Sequence, residues 1–448
     1  MTPNSNRKRV ALATASLLVP IAACSWMEFD DLKRATWVRL VDPDPRNLGD
    51  FATEVVAVPL SPGETGVRFV IAAGATRAGS GAGLAEATFD AAGELTNQVG
   101  HDALMGSGGP IAPLRAATTP VGLTAYSGES FVVGAPGLSS VIRYDGLMPG
   151  TVVGTLSDLP TGSAVAVGNL GLGSSQPDIV ALTRRTGDLG GAVTVFPGSG
   201  TAAPVTCIMG SAINDGLDPV VSLSNVVIAP IDGDPARQQI VVSGKLDGEV
   251  RIFILDAAQI AAANGEPCPV AASFPVSGIP APQALAVADI GGGPRLDLVT
   301  GTSDGMNTGL VRVYLDLERG VTPEEIPIPP PDHASALRGS RIVIGNIDVD
   351  VRPEIIIGDA SASPDASAAG QVEILRFGAT GCATPLGPAC LVRTLYAGDA
   401  RVRGYFGRDL ALGSLKTSTG SYPVLAVARH NQLLVYYRVG AEVPDPRE

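Results

Sequence analysis

The run Asn346-Ile-Asp348-Val-Asp350-Val-Arg352-Pro-Glu354 carries oxygen side chains at its first, third, fifth and ninth positions. Alternate residues of a tight loop point inward. Asn346, Asp348, Asp350, the backbone carbonyl of Arg352 and Glu354 therefore form a ligand set for a hard cation, calcium in the first place. A plain acidic turn is the alternative reading of the same residues. Sister stretches are poorer in ligands. Asp289 and Asp297 keep the outer places but Gly291 and Gly293 stand at the inner ones, Asp232 and Asp234 are followed by Gln238 at the ninth place, and the stretch Asn169 to Asp178 has glycines inside and one extra residue. These read as metal-free turns. Gly301-Thr-Ser-Asp-Gly305 fits G-x-S-x-G, but it joins two apolar alternating runs. A nucleophile elbow needs a strand followed by a helix, so a hairpin turn is expected here. Gly79 to Gly83 likewise lacks the strand-then-helix setting of a phosphate cradle. Three histidines (His101, His333, His430) and no Cys-x-x-Cys spacing leave zinc short of ligands.

The elements that carry these loops recur. Ala164-Val-Ala-Val-Gly-Asn169, Val226 to Pro230, Leu285-Ala-Val-Ala-Asp289, Ile342-Val-Ile-Gly-Asn346 and Leu410-Ala-Leu-Gly-Ser414 end 61, 59, 57 and 68 residues apart. Each is followed by a polar loop and a second apolar run: Asp178 to Leu182, Ile240 to Ser243, Asp297 to Thr300, Glu354 to Ile357 and Val424 to Val427. A third run then alternates, as in Val250-Arg-Ile-Phe253 and Val311-Arg-Val-Tyr314. Short Val- and Ile-rich runs of period two, bounded by Gly and Asp, are strands. Turn signals such as Asp247-Gly248 and Gly190-Gly191 make each unit an antiparallel meander. Weaker copies cover Val121 to Tyr144 and Glu54 to Phe89, which brings the count to about seven.

One meander cannot cover both its faces, so the copies must stack, and four-stranded units stack radially. The expected fold is all-β, a seven-bladed β-propeller of four-stranded antiparallel blades. Repeats fall near residues 50–115, 116–160, 161–222, 223–281, 282–338, 339–403 and 404–439. The last is one strand short, and Thr36-Trp-Val-Arg-Leu-Val41 is placed to complete it and close the ring, leaving 440–448 as a tail. A parallel β-helix is the rival, but its coils are shorter than these repeats. Three long connections, Asp256 to Pro269, Asp316 to His333 and Ser361 to Gly370, read either as recognition insertions or as solvated connectors.

Arg7, Lys8 and Arg9 precede an apolar run from Val10 to Ala23 that contains Pro20, the pattern of a secretion signal over residues 1–23. The run falls short of the roughly 20 residues a spanning helix needs. Without residues 1–23 the chain loses three of its 31 basic groups and none of its 44 acids, giving a formal charge of −16. So acidic a protein repels phosphate backbones, which excludes nucleic acid as the expected partner. Few charges, with 55 Gly and 36 Pro, suit short buried strands and tight turns. Beyond Cys24 stand four cysteines, an even number that suits disulfides in an oxidising compartment. Cys382 and Cys390 bracket a short loop and are the natural local pair. Cys207 and Cys268 occupy corresponding places in successive repeats, and a bridge there requires adjacent repeat edges to approach within about 7 Å between Cα atoms.

Ile21-Ala22-Ala23-Cys24 resembles the lipobox of bacterial lipoproteins. That resemblance implies a lipid on Cys24, a tether over residues 24–35 and, with Ser25 following, a place at the outer membrane. Tyr405-Phe-Gly-Arg-Asp-Leu-Ala-Leu-Gly413 is similar to the opening of the FG-GAP repeat of integrin α-subunit propellers and their bacterial relatives. Phe131-Val-Val-Gly-Ala-Pro136 is similar to that repeat's other half, and the likeness spans roughly residues 50 to 438. It implies a seven-bladed propeller with calcium in some inter-strand loops and an interaction surface on one face. The residues at 346–354 match that family's calcium loop place by place, apart from Val351 and Glu354, where a small residue and Asp are usual. The expected function is a monomeric, membrane-anchored adhesion or recognition module that binds a protein or glycan and is not an enzyme. The alternatives are a periplasm-facing scaffold in envelope assembly and a polysaccharide-processing enzyme, which needs two convergent carboxylates in a cleft.

Overall fold

A computed structural model describes residues 38–41 and, with gaps, residues 52–437. The signal region and Cys24 lie outside the described residues. Seven antiparallel sheets form a ring, a seven-bladed β-propeller. The innermost strands are Glu54–Val58, Leu123–Ala125, Thr161–Gly168, Ser222–Ala229, Ala284–Ala288, Arg338–Gly345 and Leu410–Lys416, numbered below as blades 1 to 7. Each pairs with the next strand of its own blade, and the meander runs outward.

Blade 7 is completed from the other end of the chain. Val38–Val41 pairs antiparallel with Gln432–Tyr437, Val38 opposite Tyr436 and Val41 opposite Leu433, as the outermost strand. One departure from four strands occurs in blade 6, where the two-residue strand Pro385–Leu386 adds a fifth. Met105–Gly106 and Gly109–Pro110 form a separate short hairpin.

The core lies between blades, not within them. Seven clusters of buried apolar side chains occur among the described residues, one at each blade interface. Phe131, Val133, Ile142 and Tyr144 of blade 2 pack on Val58, Val70, Ala72 and Leu84 of blade 1. Ala411, Val424 and Ala426 of blade 7 pack on Val55, Phe69 and Phe89 of blade 1, which seals the ring. Middle strands are covered on both faces, so Asp178–Thr183, Asp297–Thr302 and Glu354–Asp359 are buried at every residue. Burial on both faces explains why the apolar residues of these runs stand side by side instead of alternating with exposed ones, as in Ile355-Ile-Ile357.

Adjacent blades approach through paired glycines. A Cβ on Gly134, Gly301 or Gly358, each in a second strand, would strike the carbonyl oxygen of Gly162, Gly339 or Gly407 at the inner strand of the following blade. Those three partners have φ of 97°, 80° and 84°, in the left-handed region that glycine adopts without strain. Phe406, beside Gly407, is fully buried edge-on against Tyr436.

In blades 4 and 5 the connection between third and fourth strands reaches back over the preceding blade. In blade 4 the helix Ala257–Ala263 buries Ile260 among Cys207 and Met209 of blade 3. A disulfide joins Cys207 to Cys268 with Cα atoms 4.9 Å apart. In blade 5, Arg319 pairs with Asp232 at 2.7 Å and Asp256 at 3.4 Å, both in blade 4. Arg237 also reaches Asp256, at 2.9 Å. Burial works against the Asp256 charge, but the Ala258 N–H and the two guanidiniums hold its carboxyl below the ordinary range. The Asp256 to Pro269 segment is thus a clamp between blades. Cys390 is disulfide-bonded, and Cys382 lies outside the described residues.

Candidate functional site

The propeller has two ends. Loops between first and second strands, such as 289–297, lie at one; the beginnings of the innermost strands lie at the other.

At the first end, four consecutive blades place a polar side chain at or near the start of the buried second strand: Asp178, Gln239, Asp297 and Glu354, all at most 2% exposed. Each one organises the loop before it. Asp178 accepts the N–H groups of Leu170 at 3.0 Å and Gly198 at 2.8 Å. Asp297 accepts those of Ile290, Gly291 and Asp316, each at 2.9 Å. Gln239 accepts from the Asp232 N–H at 3.2 Å and donates to the Arg237 carbonyl at 2.7 Å. Glu354 accepts from the Ile347 N–H at 3.0 Å on Oε2, while Oε1 meets Arg376 Nη2 at 3.1 Å. A buried carboxylate without such donors would be costly, so these bonds are what permits an acid inside an apolar strand.

The residues read as outer metal ligands, Asp178, Asp297 and Glu354, are therefore loop anchors. Blade 4 gives the role to Gln239, not to Gln238, which instead accepts the Asn169 N–H at 2.8 Å from the neighbouring blade. Of the remaining loop ligands, Asn346 and Arg352 are described, and Asp348 and Asp350 lie outside the described residues. Glu354 Oε1 also takes Arg376 Nε, at 3.4 Å. Among the described residues no three metal-ligating side chains converge.

At the other end a channel of about 860 Å³ runs along the ring axis, lined by the innermost strands of all seven blades. At its mouth each blade supplies a polar residue: Glu54, Thr124, Ser163, Asn225, Gln283, Arg341 and Asp409. Further in, the lining side chains are aliphatic, among them Val56, Val167, Val227, Val343 and Leu412.

Three of the mouth residues bridge blades that close the ring. Asp409 Oδ1 accepts Arg341 Nε at 2.7 Å, and its Oδ2 accepts the Val55 N–H at 2.6 Å. Glu54 stands 3.7 Å from Arg341 Nη2. Burial raises the Asp409 carboxyl above its ordinary value, against the pull of Arg341. Burial likewise opposes the Arg341 charge, but Asp409 and Glu54 outweigh it and hold the guanidinium above its ordinary range. Glu54 and Asp409 are thus two carboxylates that share one guanidinium. Both Asp409 oxygens are engaged by N–H donors and the residue is 6% exposed, so it latches blade 7 to blades 6 and 1.

A second buried network lies in blade 6. Glu373 takes a bidentate contact from Arg338, at 3.0 Å and 2.9 Å, with both side chains fully buried. Asp359 nearby accepts the Ser335 N–H at 2.9 Å and the Ser335 hydroxyl. Burial raises the Asp359 carboxyl, and the Ser335 bonds and Arg338 offset part of that rise.

Gly301-Thr302 ends one strand and Leu310 opens the next, so the G-x-S-x-G string spans a strand-to-strand connection. No helix among the described residues is long and apolar enough to cross a membrane. No family model and no curated protein matches this chain.

Proposed function

We propose that this protein is an extracytoplasmic recognition module, anchored at the outer membrane through a lipid on Cys24, with calcium in the loop Asn346, Asp348, Asp350, Arg352 and Glu354. The ring is the rigid part and the mouth of the channel is the part that recognises. The observation that carries this reading is the channel mouth, where seven blades each present a polar side chain on a frame whose strands are covered on both faces. A preorganised, concave, chemically mixed surface binds without the ordering cost that a mobile loop would incur.

The glycine contacts support the FG-GAP resemblance. Gly134 belongs to the Gly134-Ala135-Pro136 half and Gly407 to the Phe406-Gly407 half, and each meets a glycine of the adjoining blade. The two halves of the repeat thus have one physical purpose, the close approach of consecutive blades.

Expression of the full chain in a two-membrane bacterial host tests the anchor. The mass of the N-terminal peptide should show Cys24 acylated, and Cys24→Ala should move the protein out of the outer-membrane fraction. An unmodified Cys24, with both forms in one soluble fraction, would remove the anchor. Crosslinking on intact cells tests recognition, which predicts a saturable partner competed away by purified propeller.

A further inference from the structure

Resting on the recognition reading, we infer that the central channel takes an extended polypeptide segment, basic at the end held by the Glu54 mouth and apolar along the part that enters.

Three features of the channel select this ligand class. First, every innermost strand pairs with another strand on one side only, so seven sheet edges turn toward the channel, with the Val55 N–H already taken by Asp409. An extended peptide satisfies such edges with its own backbone, whereas a hydrocarbon chain would strip them of water without replacing the bonds. Second, the lining is aliphatic beyond the mouth, and Val227 and Val343 are half-buried on blade-interface clusters, which leaves part of each to meet the apolar residues of a strand. No aromatic ring is among the lining residues to give a sugar ring a flat apolar platform. Third, the mouth holds two carboxylates, Glu54 and Asp409, against one guanidinium, Arg341. That trio carries a formal charge of −1, which attracts an amino group or a basic side chain and repels a carboxylate terminus. At about 3.3 Å per extended residue, roughly six residues would span inner strands of this length.

Random heptapeptides displayed on phage, selected on the purified chain, supply the probe. Binding of the selected fluorescein-labelled peptides is then measured on the wild type, Val227→Trp, Val343→Trp and Glu54→Gln. The expected result is a basic residue followed by alternating apolar residues, at least tenfold weaker binding to either tryptophan variant with melting midpoints unchanged, and about fivefold weaker binding to Glu54→Gln, read at a temperature where that variant is fully folded. If a tryptophan lowers the midpoint, protection of Ala286→Cys from a maleimide by the bound peptide gives the same readout in an unplugged channel. Equal binding to plugged and open protein, no enrichment over an unrelated bait, or displacement of peptide by a fluorescent fatty acid would overturn the inference. A cellular partner captured equally by wild-type and plugged protein would leave recognition standing and remove the channel as its site.

Discussion

The carbonyl oxygen of Gly339 fills the space that a Cβ on Gly301 would need, and through this pair the backbones of blades 5 and 6 come into contact. The obstacle to a side chain on Gly301 is backbone alone, so it cannot rotate away. Gly301→Ala is expected to destabilise the fold by about 2–3 kcal/mol, as overpacking of a closed core does. Gly420→Ala, where nothing lies within 4 Å, should stay within about 0.5 kcal/mol of wild type. Urea unfolding of the two variants measures the contrast, and equal midpoints would show that the blades can part at no cost.

The disulfide between Cys207 and Cys268 should act on one clamp and on the unfolded chain together. It closes a loop of 61 residues and ties the connection of blade 4 to the outer strand of blade 3. On chain entropy alone a loop of this length is worth about 4 kcal/mol. Cys207→Ala should lower the denaturation midpoint accordingly. Hydrogen exchange should rise first in the helix Ala257–Ala263, whose Ile260 packs beside the bridge. Uniform loss of protection around the ring would instead mean that the bridge acts through the unfolded state alone.

Much of the ring was legible because its middle strands are buried on both faces. Runs such as Asp297–Thr302 and Glu354–Asp359 carry adjacent apolar residues where a half-exposed strand would alternate, and their sixty-residue recurrence exposes the blade. Outer strands escaped notice for the opposite reason. Val270–Pro275 is buried only at Phe274, and Glu325–Ile328 carries Pro327, which a solvent-facing edge tolerates. The loop acids were visible as acids, but an anchor for N–H groups and a ligand for a cation call for the same residue types at the same spacing. Gln239 went unnoticed because the acceptor of the Asp232 N–H falls one residue beyond Gln238. The latch of Glu54, Arg341 and Asp409 joins opposite ends of the chain, and no local pattern reports a contact of that range.

Asp359 should give stability a distinctive pH dependence. Burial raises its folded-state pKa above the ordinary 3.8, so the folded protein binds this proton more tightly than the unfolded chain does. The sign follows. Asp359 favours the fold most below pH 3.8, and that contribution is lost as pH rises from there through the folded-state value. Asp359→Asn removes the titration while keeping an acceptor for the Ser335 N–H. The stability of the variant relative to wild type should therefore increase with pH across this window and level off above it. Paired denaturation curves between pH 4 and 8 read the trend, and a difference that is flat or of opposite slope would show that the Ser335 bonds outweigh burial.

Calcium in the loop 346–354 predicts a linked stabilisation with a defined dependence on one anchor. A site that binds the folded protein alone adds about 2.7 kcal/mol when free metal is one hundred times the dissociation constant. Saturating calcium should therefore raise the melting midpoint of the wild type, and chelator should return it. Asp348→Asn and Asp350→Asn should remove the shift while leaving the metal-free midpoint near that of the wild type. Glu354→Gln should differ from both. It takes away half of the ion pair with Arg376 and weakens the bond to the Ile347 N–H, so it lowers the midpoint even with chelator present. Identical melting of the wild type with metal and with chelator would reduce the loop to an acidic turn held by Glu354, and would leave the anchoring role intact.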